Sequence, residues 1–271
     1  MAGRFMYLDY WRFKVLPFEN VPDPRFFYLS KSHDEALTRL IYAGKMRKGS
    51  AVLSGDIGCG KTTLVKVCVQ ELATENFEIG LVVNPKLEPL EFLQEILFQF
   101  GIEDVPDTKV HCLQRLNQRM IENMKENRET LLIIDEAQLL TRSNLEEVRL
   151  LLNFQLNDRF LMTVMLVGQP ELKDKIKSIK QLDQRIAIKY HLAPFSFNET
   201  VHYILFRQKK AGRKENVFSK EALRKIYDHT KGIPRNINNL CDMALLIGYS
   251  KNEKVITSKI IESIINDGVS F

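Results

Sequence analysis

Eight consecutive residues, Gly55, Asp56, Ile57, Gly58, Cys59, Gly60, Lys61 and Thr62, constrain this chain of 271 residues more than any other feature. They satisfy the spacing G-x-x-x-x-G-K-[ST], and Thr63 follows. The flanks are those the motif needs in order to work: the apolar run Ala51, Val52, Leu53 ahead of it reads as a strand, and residues 61–73 behind it carry apolar side chains at helical spacing. Glycines let the backbone wrap a phosphate with no Cβ in the way, so that successive N–H groups point inward. The helix N-terminus that follows favours an anion. Lys61 would set a positive charge beside β- and γ-phosphates, and the Thr62 hydroxyl suits Mg²⁺. The competing reading is a Gly-rich turn with a coincidental Lys-Thr.

Around this loop strands alternate with helices. Residues 79–83, 131–134, 162–167 and 186–190 read as strands, and 89–100, 112–127 and 143–154 as helices. Leu131, Leu132, Ile133 and Ile134 form an unbroken apolar strand, the pattern of a strand buried on both faces. The alternation predicts an α/β fold, a parallel sheet covered by helices on both sides. After Pro194 the strands stop. Residues 198–211, 219–230, 234–249 and 257–266 read as helices, with start signals at Asn198, Ser219 with Glu221, Pro234 and Thr257.

This shift predicts a nucleotide-binding domain over 32–193 and a small all-helical lid over 194–271. Residues 1–31 are aromatic and Pro-punctuated, too apolar for a disordered tail, and read as an ordered arm packing on the core. Ser32 and Glu35 have capping-box spacing, which predicts a helix over 33–45.

The second chemical feature is Asp135-Glu136 at the end of the apolar strand 131–134. Acids after a strand also mark helix N-termini. Here they stand at the sheet edge where nucleotide sites form, so Asp135 is placed to hold Mg²⁺ and Glu136 to orient or deprotonate a water. Asn84 follows the strand 79–83, and an Asn there is also a turn former. Gln169 follows the strand 162–167 and would lie beside the Asp135 strand, placed to help position water. Arg185 and Arg235 each sit at an element boundary, where an Arg is commonly just solvated.

Other classes are excluded. The longest uncharged run, Phe160 to Pro170, has eleven residues, against the ~20 of a membrane-spanning helix. The N-terminus lacks the apolar stretch of a secretory signal, so a cytoplasmic location is expected. The four cysteines show no C-x-x-C spacing, and the five histidines no H-E-x-x-H. A net charge of +5 permits nucleic-acid contact without arguing for it. The stretch Arg207 to Lys214 holds five cations and no acid, and Lys173, Lys175, Lys177 and Lys180 make a second cluster. Either group is a candidate DNA contact or a solvated face.

Together these features resemble the AAA+ ATPases. More narrowly, Pro17-Phe18, Pro22-Asp-Pro24, Tyr28 to His33, the 55–63 loop, Asp135-Glu-Ala-Gln138, Gly168 to Leu172, Gln184-Arg-Ile186 and Gly232-Ile-Pro-Arg235 follow the order of ExeA/GspA-like ATPases. MshM-type pilus proteins are close relatives of that module, and the transposition regulators TnsC, TniB and MuB are remoter ones.

The resemblance implies ATP and Mg²⁺ as ligands. It makes Lys61 the phosphate-binding lysine, Thr62 and Asp135 magnesium ligands, and Glu136 the general base. Asn84 becomes the residue that holds the catalytic glutamate in an inactive pose until a partner binds. Gln169 takes the first sensor position, where Asn, Ser or Thr is commoner. Arg185 becomes an arginine finger inserted into a neighbouring subunit's site, and Arg235 the second sensor on the lid, contacting γ-phosphate.

Also implied are a homo-oligomer, ring or filament, and a protein partner in a secretion or pilus apparatus. The alternative is an ATP-dependent regulator of transposition that assembles on double-stranded DNA and recruits a transposase. Longer members of the family continue into a transmembrane segment, so this chain is expected to be either a standalone ATPase or an excised module.

Overall fold

The computed structural model describes residues 7–268. In chain order the elements are α1 (Leu8–Trp11), a 3-10 turn (Pro24–Phe26), α2 (Lys31–Lys45), β1 (Ser50–Gly55), α3 (Lys61–Leu72), β2 (Phe77–Val82), α4 (Pro89–Gln99), α5 (Lys109–Lys125) and β3 (Glu129–Ile134). A 3-10 turn (Ala137–Leu139) leads to α6 (Arg142–Leu151), β4 (Thr163–Gly168), α7 (Glu171–Lys177), α8 (Lys180–Arg185) and β5 (Ile188–Leu192). Four helices follow: α9 (Phe197–Lys210), α10 (Lys220–Thr230), α11 (Pro234–Ser250) and α12 (Ser258–Asn266). The chain divides into two compact units, one of residues 31–56 and 64–192, the other of residues 57–63 with the described parts of 1–30 and 193–271.

The first unit is the expected α/β domain. Its five strands are all parallel, in the order β2-β3-β4-β1-β5. Leu131 to Ile134 are buried throughout, as their uninterrupted apolar run requires, and so is every residue of β4. Edge strand β5 alternates in burial, the pattern of a strand with one face covered and the other toward solvent. Each fully buried Leu, Ile or Val here contributes ~1.5–3 kcal/mol. Helices α4, α5 and α6 add Phe92, Ile96, Leu116, Met120, Leu145 and Val148 to one continuous cluster.

Two short helices, α7 and α8, are absent from the sequence reading. At seven and six residues they complete too few turns to establish a 3.6-residue period. Helix α2 begins at Lys31, so Ser32 lies inside it rather than capping it.

The second unit joins α9–α12 to the described residues of the arm, whose expected packing was on the core. Tyr7, Leu8, Trp11, Phe13 and Phe18 are buried in the same cluster as Phe195, Ile204, Leu240, Leu245 and Ile261. Trp11 explains the choice. Its indole N–H donates to the Leu245 carbonyl at 2.9 Å, and a Cβ on Gly248 would stand 2.8 Å from its ring. Helix α11 therefore keeps a bare backbone spot where the indole lies.

Helix α9 is capped by Ser196, two residues before the expected Asn198, in a reciprocal capping box with Glu199. Ser219 caps α10 by accepting the Ala222 N–H at 3.1 Å, and Pro234 opens α11, both as expected. Thr257 holds the N-cap position of α12 without a side-chain bond.

Candidate functional site

The residues singled out in the sequence fall in both units. In the helical one lies the loop that leads into α3. Gly58 and Gly60 have φ of +83° and +91°, the left-handed region that glycine enters without steric cost. Lys61 is the first residue of α3 and is buried.

The loop meets the start of α11, where the Arg235 N–H donates to the Gly58 carbonyl at 3.2 Å. A Cβ on Gly58 would stand 2.7 Å from Arg235 Cβ, so the approach itself demands glycine there. Arg235 is set by a turn in which Lys231 and Gly232 both have positive φ. A Cβ on Gly232 would come within 1.9 Å of the Phe195 carbonyl oxygen. Gly-Ile-Pro-Arg thus places Arg235 on the first turn of α11 against the loop, with its side chain exposed.

In the α/β unit, the carboxyl edge of the sheet gathers the other candidates. Pairing of β2 with β3 runs on past the strands, since the Asp135 N–H donates to the Val82 carbonyl at 2.9 Å. Asn84 follows β2 by two residues, Asp135 directly follows β3, and Gln169 directly follows β4. Asp135 is buried, and its Oδ1 accepts the Glu136 N–H at 2.9 Å. Glu136 has φ 50° and ψ 34°, a left-handed conformation that costs a non-glycine residue ~1–2 kcal/mol and swings its side chain out of the strand direction.

The Glu136 carboxylate is held by a polar side chain two positions further along the chain. Gln138 Nε2 donates to Glu136 Oε2 at 2.6 Å, and Gln138 Oε1 accepts the Gln169 N–H at 3.0 Å. Asn84 is exposed. The hydrogen bond to the Glu136 carboxylate comes from Gln138, and holding of that carboxylate by Asn84 stays an expectation of the resemblance. The signal lay in the spacing Glu136-Ala-Gln138, two positions on a 3-10 turn. The segment after β2 has its own anchor in Asn144, whose Nδ2 donates to the Leu87 carbonyl at 2.8 Å.

Arg185 is not brought to this edge. Its carbonyl accepts from Ser50 Oγ at 2.6 Å, and Ser50 opens β1, at the amino edge of the sheet. The length of a six-residue strand, roughly 17 Å, separates the two edges. The side chain is exposed at the end of α8, with Nη1 3.4 Å from the Arg149 carbonyl.

Both basic clusters are partly structural. Arg207 is buried and donates to the carbonyls of Pro17 and Glu19, while Arg213 donates to those of Trp11 and Glu215. Lys175 donates to the carbonyls of Gln138 and Leu140. Lys209, Lys210, Lys214, Lys173, Lys177 and Lys180 remain exposed.

Cys59, Cys68, Cys112 and Cys241 are free and buried. Burial pushes the Cys68 thiol up to about 12, which keeps it protonated and unreactive. Among the described residues, no group of three or more His, Cys, Asp or Glu is placed to hold a metal, and no helix is long and apolar enough to cross a membrane.

Comparison with known proteins agrees with this geometry. A family model described as an AAA domain matches residues 44–176. General secretion pathway protein A of Aeromonas hydrophila is 34% identical over 254 residues, 93% of this chain and 46% of that protein. The ATP-dependent target DNA activator B of Escherichia phage Mu is 30% identical over 145 residues, 53% of this chain and 44% of that protein. The chain thus spans about half the length of the curated relatives it matches. Among solved structures, the Aeropyrum pernix ORC2 protein superposes with a TM-score of 0.66 at 16% identity, covering 91% of this chain and 72% of that one.

Proposed function

The chain belongs to the AAA+ P-loop family, in its ExeA/GspA-like branch, and on that premise we propose that it binds ATP with Mg²⁺ and hydrolyses the γ-phosphate by in-line attack of water. The observation that carries the reading is the loop itself: two glycines in the left-handed region, the approach of Arg235 that only a glycine at 58 allows, and Lys61 at the mouth of α3. Its residues fit a polyphosphate. Backbone N–H groups from 55 to 62 surround the anion, Lys61 neutralises the β- and γ-phosphates, and Arg235 contacts the γ-phosphate. Thr62 and Asp135 would be the residues to hold Mg²⁺, which when bound would offset the charge that builds up on phosphoryl oxygens. Glu136 takes the proton from the attacking water, and Gln169 helps to position that water.

Arg185 acts on another copy. The family resemblance is the ground for this role, and the place of Arg185 at the amino edge of the sheet, roughly a strand's length from Asp135 and Glu136, is consistent with it. That makes the active form an oligomer, ring or filament, and an arginine supplied in this way contributes about 10³–10⁵ in rate. By its likeness to General secretion pathway protein A, the module serves assembly of a secretion or pilus apparatus. Likeness to the phage Mu activator favours the second reading, an ATP-switched protein that coats double-stranded DNA and recruits a transposase. The exposed lysines 209, 210, 214, 173, 177 and 180 supply cations for it.

ATPase rate against protein concentration, with and without double-stranded DNA, tests both. The wild type should accelerate as it assembles. Glu136→Gln should bind ATP without turning it over, and Arg185→Ala should keep ATP affinity while losing the concentration-dependent rise. Rapid turnover by Glu136→Gln would remove the general base, and an unchanged concentration dependence in Arg185→Ala would remove the finger. DNA binding that needs ATP and weakens steeply with salt would favour the transposition reading; its absence at low salt would favour the secretion one.

A further inference from the structure

Gln138 ties together two segments that the sheet presents side by side. One is the turn after β3, which carries Asp135 and Glu136; the other is the turn after β4, which carries Gln169. Its amide reaches both at once, donating to Glu136 Oε2 at 2.6 Å and accepting the Gln169 N–H at 3.0 Å. Its own backbone is fixed too, because Lys175 on α7 donates to the Gln138 carbonyl and to that of Leu140, the latter at 3.0 Å.

The neighbourhood is shaped for this amide. Gln138 is buried, and a Cβ on Gly168 would stand 2.6 Å from its Oε1 and 3.0 Å from Leu172 Cδ2. Amide orientation follows from the partners, since the Gln169 N–H needs an acceptor and a carboxylate needs a donor. Glu136, held in a left-handed conformation, has many side-chain rotamers, and a single buried donor selects among them.

We infer that Gln138 is the positioning residue of the catalytic carboxylate: it clamps Glu136 Oε2, leaves the other oxygen to meet water, and transmits movements of the 168–169 turn to that carboxylate. The inference rests on the proposed role of Glu136 as general base. Its physical basis is that catalysis by a positioned base falls steeply with misplacement, on the order of 10²-fold for 1 Å. A shift of the β4–α7 turn would move the acceptor side of the amide and with it the donor side, so the sensor position and the base respond as one unit.

Two substitutions separate positioning from folding. Gln138→Met keeps the length and removes donor and acceptor. Gln138→Glu keeps an acceptor for the Gln169 N–H and replaces the neutral amide donor by a second carboxyl group, which shares a proton with Glu136 or repels it. Each is compared with the wild type for thermal unfolding by circular dichroism, for affinity for a fluorescent ATP analogue, and for steady-state ATPase. The expected result for Gln138→Glu is a lowered but cooperative unfolding transition, affinity and KM within about twofold of wild type, and a kcat reduced by about 10- to 100-fold. Adding Gln138→Glu to Glu136→Gln should change the residual single-turnover rate by less than about twofold, because residues acting as a unit are not additive.

A kcat near wild type in Gln138→Glu, with Glu136→Gln inactive, overturns the inference while the base assignment stands. So does a full additional loss in the double variant, or a loss that lies in affinity rather than kcat. If Gln138→Met does not fold, Gln138→Glu decides. Wild-type turnover in Glu136→Gln would instead sink the base assignment itself.

Discussion

Replacing Arg207 by Met keeps the apolar stem of the side chain and removes a buried guanidinium that joins the arm to α9. Arg207 is 5% exposed. Its Nε donates to the Pro17 carbonyl at 2.5 Å, its Nη2 to the Glu19 carbonyl at 2.8 Å, and the guanidinium lies 4.6 Å from the centre of the Phe26 ring. Hydrogen bonds with a charged partner contribute ~1.5–3 kcal/mol each, and a desolvated cation over an aromatic face up to ~2 kcal/mol. Glu19 is exposed, so water can replace the donor lost there, whereas the other carbonyl is left to the interior. The expected loss is ~3–4 kcal/mol, a large part of the ~5–15 kcal/mol that keeps a domain folded.

The chain's single tryptophan, Trp11, is buried in the same cluster, so urea unfolding followed by its fluorescence reads this unit directly. With a slope of ~1–3 kcal/mol per molar, the midpoint should fall by about 1–4 M. A loss below ~1 kcal/mol, or a loss of DNA affinity with stability intact, would refute the structural assignment and return Arg207 to the surface.

Gly232→Ala should be severe, because a methyl group would meet the Phe195 carbonyl at 1.9 Å in a backbone with φ +76°. We expect a loss of more than ~3 kcal/mol, seen as a large fall in melting temperature; a Tm near wild type would show that the turn relaxes. Burial raises the carboxyl of Asp242 above its ordinary range, partly offset by the hydroxyl of Tyr7, which donates to it. The folded state therefore holds a proton that the unfolded chain releases near pH 3.8, and this contribution, full below that pH, is lost as pH rises through the higher folded value. Asp242→Asn should accordingly gain on the wild type as pH is raised from 4 toward neutrality in parallel melts, and a constant difference across that range would refute the linkage.

Much of the architecture is written in local patterns. The strand 131–134 is recognisable because burial on both faces demands four apolar residues in a row, and the loop from Gly55 to Thr62 because its conformation admits few residue types. The starts of α10 and α11 are equally legible, since caps and first-turn prolines act within three or four residues. Helices α7 and α8 escape for the opposite reason: they are too short to repeat. The cap of α9 was displaced by two residues because Asn198 and Ser196 are both good caps, and the reciprocal bond with Glu199 decides between them.

The candidate site divides along the same line. Lys61, Thr62, Asp135 and Glu136 are identified by residue type at fixed spacing beside predictable elements. Gln138, two positions beyond Glu136, resembles any polar turn residue until the end of β4 is laid next to it. Charge patterning misleads in a related way: Arg207, Arg213 and Lys175 read as parts of exposed basic patches, yet they bond to backbone carbonyls distant in sequence.

By itself, then, the order of residues determined the phosphate loop, the acid pair, the parallel sheet and the helical domain, because each is enforced by interactions among near neighbours along the chain. Only the tertiary structure decided that the arm belongs with α9–α12, that Arg185 stands at the sheet edge opposite Asp135, and that Gln138 bridges Glu136 to the end of β4. The physical reason is that a buried indole, a strand order and an unsatisfied amide are resolved by whatever the fold brings alongside, and those partners lie tens to hundreds of residues away.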